Sequence, residues 1–234
     1  HIYSAFIEHP GIEYPVLALV VSGGHTSLIF APDPGVYRSI GRARDDAAGE
    51  ALDKLAKYLG LGYPGGPLID RLAKDGDPHR FAFSIPKISD GSLDFSFSGF
   101  KTAALRHIQE HGIRPRRPGG RISKIALDLV TSYQRAIVDT LLKQTRTAAA
   151  RLHPRSILLV GGVACNSLLR ETFTRTFETE PGRMEGREPV RVYYPDPALT
   201  TDNAAMIAAA GRAKLEAAET AGPELNAFAD LRLC

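Results

Sequence analysis

Tryptophan is absent, and cysteine and methionine each occur only twice in 234 residues. The two cysteines, Cys165 and Cys234, stand far apart and cannot staple a small secreted domain, so an apolar core in a reducing compartment is expected to hold the chain together. Long hydrophobic runs are missing too. The longest unbroken aliphatic stretch, VLALVV at Val16–Val21, falls far short of the roughly 18 residues a membrane span needs. No signal peptide opens the sequence, and a soluble cytoplasmic protein with no membrane partner is expected. Charge of one sign is not in excess either: Lys and Arg number 29 against 26 Asp and Glu, a net +3. That balance excludes a nucleic-acid binder recognisable from overall charge, so any such contact has to be a local patch. Repeats and low-complexity tracts are lacking, and 44% hydrophobic with 24% charged content fits a globular chain. The phosphate-binding patterns G-x-x-x-x-G-K-[ST] and G-x-G-x-x-G do not occur, so a bound nucleotide requires another scaffold.

What is present suffices for one large domain or two small lobes. The chain opens at His1 on the apolar run IYSAFI, without Met, and reads as a fragment or excised lobe. YPVLALVV, TSLIFAP and VYRSIGRA predict three short strands of a meander, with a glycine pair between the first two. Asp45 and Asp46 are expected to open a helix over DDAAGEALDKLAKYLG, where an acidic first turn suits the positive helix end and Gly60 stops it. A short helix is predicted over LIDRLAKDG, irregular chain over 79–94, and a helix from near Ser98. GIRPRRPGGR reads as a mobile basic connection. Ile125, Leu129, Tyr133, Ile137 and Leu141 recur every four residues, which predicts a long amphipathic helix. Then follow a strand over RSILLV, a second glycine pair, a helix through SLLRETFTRTF, a polar loop over 182–189, a strand over VRVYY and a last helix over TTDNAAMIAAAGRAKLEAAE. This order predicts a mixed α/β layer with helices packed on a sheet.

Two strand-to-turn junctions carry paired glycines, VSGGHT and VGGVACN. Each is either a tight turn or a place where backbone N–H groups approach a phosphate or ribose, with Ser22, Thr26 and Asn166 adding neutral hydrogen-bonding groups. Asp53 and Asp70 flank a third glycine-rich element, GYPGGP, as acceptors for ribose hydroxyls or as exposed helix charges. Metal signals are weak. The spacing of histidines and cysteines is read as offering neither H-x-x-x-H nor C-x-x-C, His1 and His25 stand near element ends, and Asp202 reads as the N-cap of the last helix. Arg114, Arg116, Arg117, Arg121 and Lys124 form a phosphate-backbone footprint or a solvated linker. Cys165 has no evident base beside it and is expected to be a small buried residue.

Five blocks, PVLALVVSGGHTSLI, DDAAGEALDKLAKYLGLGYPGGP, DFSFSGFKTA, LLVGGVACNSLLR and TTDNAAMIAAAG, together resemble in order the TsaD family of tRNA adenosine threonylcarbamoyltransferases. The resemblance implies an ASKHA fold, the two-lobed architecture of actin, sugar kinases and Hsp70-type chaperones. Residues 1–12 would then be the end of an N-terminal lobe carrying a metal-ligand helix. Residues 13–234 would be a C-terminal ASKHA-like lobe with a helical insertion over about 46–150. The implied reaction is an acyl transfer, of the threonylcarbamoyl group of threonylcarbamoyl-AMP to N6 of adenosine 37 in tRNAs reading ANN codons. By similarity, Val20, Val21, Ser22, Gly23 and Gly24 line the site for threonylcarbamoyl-AMP or ATP. Asp53, Gly66 and Asp70 contact ribose and its neighbours, and Asn166 closes the adenosine side. His1, as the second histidine of the family's H-x-x-x-H helix, and Asp202 are the implied ligands of Fe(2+) or Zn(2+). Implied partners are tRNA and proteins of the TsaB and TsaE type, and this chain alone is expected to be inactive or only weakly nucleotide-binding. Rival readings are a non-catalytic ASKHA paralogue serving as a partner subunit and a small-molecule ASKHA kinase. A metalloprotease would need H-E-x-x-H, which is absent.

Overall fold

The structure, a computed structural model, describes residues 1–117, 119–180 and 188–226. Cys234 and residues 182–187 of the expected polar loop lie outside them. An apolar run without polar interruption suits a strand covered on both faces, and VLALVV forms β1 (Val16–Val21), the middle of a five-stranded sheet. β2 (Thr26–Ala31) and β3 (Arg38–Arg42) continue the expected meander, antiparallel on one side. β4 (Ser156–Val160) joins the other side of β1 in parallel, and β5 (Arg191–Tyr193) runs parallel to β4. The sheet order is β3-β2-β1-β4-β5, and the register sets Val20 against Val160. The mixed α/β class expected from the element order is therefore what the chain adopts.

Alternation along β1 gives the sheet two apolar faces. Leu17, Leu19 and Val21 point into the larger core, against helices α2 (Ala48–Tyr58), α4 (Ser98–Glu110), α5 (Lys124–Leu152) and α6 (Ser167–Thr174). Val16 and Ala18 point the other way, towards Ala5 of α1 (Ile2–Glu8) and Ile12. Each fully buried leucine of β1 contributes about 1.5–3 kcal/mol. α1 in turn packs against α8 (Ala204–Glu216), which follows the short helix α7 (Pro197–Thr200). Among the described residues no helix is long and apolar enough to cross a membrane.

The spacing of four was a sound guide to α5. Leu129, Tyr133, Ile137 and Leu141 are all at most 1% exposed, and Ser123 caps the first turn by accepting from Ala126 N. The Tyr133 hydroxyl donates to the Ala51 carbonyl at 3.0 Å, which ties α5 to α2, and burial raises its pKa. α3 (Gly65–Leu72) starts three residues before the expected helix, inside the Gly-Gly-Pro run. Its start is specified from outside: the Asp53 carboxylate accepts from Gly65 N at 2.7 Å, and a Cβ on Gly65 would sit 2.5 Å from that of Ala56. Pro67 falls in the first turn, where its missing N–H costs nothing.

The aspartates expected to open α2 are used elsewhere. α2 begins at Ala48 with Glu50 as its first-turn acid, while Asp46 pairs with Lys54 at 2.8 Å and Lys101 at 3.5 Å. Asp45 instead accepts from Ser96 Oγ, Phe97 N, Ser98 N and Ser98 Oγ at the start of α4. Burial opposes its ionisation, but these hydrogen bonds outweigh that and hold the carboxyl below its ordinary value. A carboxyl with a depressed folded pKa contributes stability that is complete above its unfolded value and lost as pH falls through the folded one. Asp45→Ala is expected to cost about 1 kcal/mol near neutral pH, below the roughly 1.5–3 kcal/mol of a hydrogen bond to a charged group because solvent screens this largely exposed carboxylate. In denaturant titrations against the parent chain the difference should shrink as pH falls from the ordinary carboxylate range through the lowered folded pKa of Asp45. A pH-independent difference would refute the account.

The basic connection is also more fixed than the sequence suggested. Arg116 N donates to the Leu59 carbonyl at 2.8 Å and its guanidinium to that of Leu61 at 3.4 Å. Gly60, at φ +64°, lets the loop come this close: a Cβ there would lie 2.8 Å from the Arg116 carbonyl oxygen.

Candidate functional site

Parallel neighbours β1 and β4 end side by side, so the two glycine junctions meet at one end of the sheet. In open α/β sheets ligands bind beyond the carboxyl ends of such strands. After β1, Ser22 N donates to the His25 carbonyl at 2.8 Å and Ser22 Oγ accepts from His25 N at 3.1 Å, which closes a tight turn. Gly23 and Gly24 stand in open space, with nothing within 4 Å of where a Cβ would be. The turn rests on the start of α2, where a Cβ on Gly49 would lie 2.5 Å from the Ser22 carbonyl oxygen. Ala48 N donates to Thr26 Oγ1 at 3.0 Å. An exposed backbone beside a helix N-terminus can take an anionic or strongly polar group. Val21 is 1% exposed, so only its backbone can serve a ligand, whereas Val20 is half-buried.

After β4, Gly161 takes φ +93°, and a single helical turn over Gly162–Cys165 leads into α6. Asn166 is the N-cap of α6: its Oδ1 accepts from Leu169 N at 3.0 Å, and the residue is 7% exposed. Asp70 meets the same helix start, accepting from Ser167 N at 3.1 Å, from Ser167 Oγ at 2.9 Å and from Gln134 Nε2 at 3.2 Å. Gly66 lies one turn before Asp70 on α3, with open space at its Cβ position. Asp53 and Asp70 therefore act on helix starts, and each also borders an open hollow, of about 550 Å³ beside Asp53 and about 490 Å³ beside Asp70.

The last block packs beneath the second junction. Thr200 is 1% exposed, its Oγ1 lies 3.1 Å from Cys165 Sγ, and Thr201 reaches within 4.0 Å of the Cβ position of Gly162. Asp202 is not an N-cap: Asn203 caps α8 by accepting from Met206 N at 2.9 Å. The Asp202 side chain is 94% exposed and points at His1, with Oδ1 3.3 Å from Nε2. His1 Nδ1 is buried and has no hydrogen-bond partner. An imidazole and a carboxylate brought together from α1 and from the lead-in to α8 are a donor pair that fits Fe(2+) or Zn(2+), with further positions to be filled.

Three expectations need correction. Cys165 is exposed rather than buried, because it ends the helical turn that brings Asn166 to its cap. The basic residues are not strung along a free linker. Arg114, Arg116, Arg117 and Arg121 line a hollow of about 410 Å³ floored by Leu59, Ile113 and Ile122. The reading that no H-x-x-x-H exists overlooks His107 and His111, four apart on α4 and its C-cap. Together with Glu110 they bring one ligand atom each to within 4.8 Å of one another, and the motif H-x-x-E-H was the signal that could have found them.

Among solved structures, the activator of the 2-hydroxyisocaproyl-CoA dehydratase from Clostridium difficile is 18% identical, with a TM-score of 0.46 covering 95% of this chain and 69% of that one. At that distance it bears on nothing further. Curated tRNA N6-adenosine threonylcarbamoyltransferases match along the whole chain: that of Desulfitobacterium hafniense is 44% identical over 233 residues, and that of Anaeromyxobacter dehalogenans 48%. The chain spans 64% and 66% of their respective lengths. The family described as TsaD, tRNA N6-adenosine threonylcarbamoyltransferase, matches residues 1–209, and the chain belongs to that family.

Proposed function

We propose that this chain is the larger part of an enzyme that transfers the threonylcarbamoyl group of threonylcarbamoyl-AMP to N6 of adenosine 37 in tRNAs reading ANN codons. The observation that carries the reading is the meeting, at one end of the sheet, of both glycine junctions with the His1–Asp202 pair. In the reaction the N6 amine attacks the carbamoyl carbon, a C–N bond forms, the C–O bond to the phosphate breaks, AMP departs and the amine gives up a proton.

Roles for the chain's own groups follow from their chemistry. The open Ser22–Gly24 turn, beside the start of α2, lets backbone N–H groups approach the phosphate and carbamoyl oxygens without side-chain hindrance. Asp53 and Asp70, with Gly66 leaving room between them, accept from ribose hydroxyls, and the Asn166 segment bounds the adenosine side. His1 and Asp202 would hold the Fe(2+) or Zn(2+), which when bound supplies Lewis-acid polarisation of an oxygen on the transferred group. The arginine-lined hollow offers the local positive patch that tRNA phosphates need in a chain of small net charge. Proteins of the TsaB and TsaE type would complete the assembly in the cytoplasm.

The test is transfer by the complete protein with those partners, following labelled threonine into tRNA. Incorporation is expected at N6 of adenosine 37, with tRNA affinity that falls as salt rises. A folded, metal-loaded assembly that never modifies tRNA would end the proposal.

A further inference from the structure

We propose that the end of α4 carries a second metal site, in which His107, Glu110 and His111 bind a divalent transition-metal cation of the zinc class. Residues at i, i+3 and i+4 share one helix face. Here a ring nitrogen of each histidine and a carboxylate oxygen of Glu110 lie within 4.8 Å of one another. Hydrogen bonding fixes which nitrogens are free to ligate. His107 Nε2 lies 3.3 Å from the Ala82 carbonyl oxygen, which only accepts, so this nitrogen carries the proton. Nδ1 of the neutral ring is then a bare lone pair. That atom is buried, has no hydrogen-bond partner, and faces Glu110 Oε2 at 3.8 Å. His111 Nδ1 is likewise 3.1 Å from the His107 carbonyl oxygen, which leaves Nε2 as its lone pair.

Two acceptors facing each other repel unless a cation lies between them, and outer-shell carbonyls that fix the histidine tautomer are characteristic of metal ligands. The rings are held in place as well. Phe81 packs 5.1 Å from both imidazoles and Phe83 lies 5.3 Å from His107, centroid to centroid. The site caps the carboxyl end of a 13-residue helix, where a positive charge is favoured. Two imidazoles and a carboxylate are a zinc-type donor set that leaves a position for water. The cation would fasten the end of α4 to the irregular segment carrying Phe81, Ala82 and Phe83, well apart in sequence from His1 and Asp202.

Zinc titration calorimetry on the 234-residue chain carrying Asp202→Ala, which disables the other candidate site, tests this. One equivalent should bind, Co(2+) should give visible ligand-field bands, and zinc should raise the melting temperature. Glu110 and His111 are exposed, so Glu110→Gln and His111→Ala are expected to melt like the Asp202→Ala chain in chelator. Each should bind zinc at least about a hundredfold more weakly, since losing a ligand exceeds the 10–100-fold cost of losing an outer-shell partner. Absence of a one-equivalent binding event, or equal affinity in both variants, overturns the proposal. A His107 that merely shares a proton with Glu110 would give the first of these results.

Discussion

Gly161→Ala is expected to strip this chain of a large part of its stability, by about 2–6 kcal/mol. Two costs add. At φ +93° an L side chain is in a sparsely populated region, worth about 1–3 kcal/mol. The new Cβ would also lie 2.4 Å from the carbonyl oxygen and 2.9 Å from the carbonyl carbon of Val21. Those atoms are main chain in the central strand, so relief requires β1 and β4 to separate, and overpacking of this kind costs about 1–3 kcal/mol. A domain this size loses roughly 2–4 °C of melting temperature per kcal/mol, so a fall of the order of 10 °C should appear in thermal melts. Gly23→Ala is the control. Nothing stands within 4 Å of its Cβ position, so stability should stay within about 0.5 kcal/mol while nucleotide binding falls. If Gly161→Ala melts with the parent chain, the close approach of the two junctions is refuted.

The second large effect concerns Asp202→Ala in the complete enzyme. Its carboxylate is 94% exposed and caps nothing, so folding should be unchanged within about 0.5 kcal/mol. Metal content should nevertheless collapse on dialysis, and transfer to tRNA should drop about 10²–10⁴-fold, the equivalent of several kcal/mol of Lewis-acid stabilisation. Its neighbour supplies the opposite signature. Asn203→Ala removes the cap of α8 and should cost about 1 kcal/mol of stability while the bound metal is retained. Metal content and turnover measured alongside denaturation separate the two. An Asp202→Ala enzyme with full metal and full turnover would exclude the His1–Asp202 pair as a ligand set.

These positions also show how far the sequence could be read. Periodicities were sound: β1 and α5 are where their apolar patterns put them, because a strand buried on both faces and a helix with a repeating stripe have no better use for those residues. The five blocks pointed to a family and so to residues such as His1 and Asp202, which no spacing rule would have paired across some 200 positions. Partner choice was not legible. Asp45 looks like a helix opener but is drawn to donors about 52 residues away, and α3 begins in glycines because Asp53 reaches its first N–H. Adjacent cap candidates misled for a similar reason: Asp202 and Asn203 are both good caps, but Asn203 is the one whose Nδ2 donates to the Leu199 and Thr201 carbonyls while its Oδ1 accepts from Met206 N. The histidines of α4 were missed through the spacing itself, although the tautomers that make them interesting depend on carbonyls the sequence does not reveal.

The Asp70 carboxylate is gripped by the amide and hydroxyl of Ser167 and by Gln134 within the protein itself. A sugar docking there would meet an acceptor whose rotamer is settled, so little side-chain freedom remains to be frozen on association. On the proposed reading, recognition at Asp70 would be coupled to how three helices are tied together, and softening that knot for faster product escape would loosen the scaffold itself.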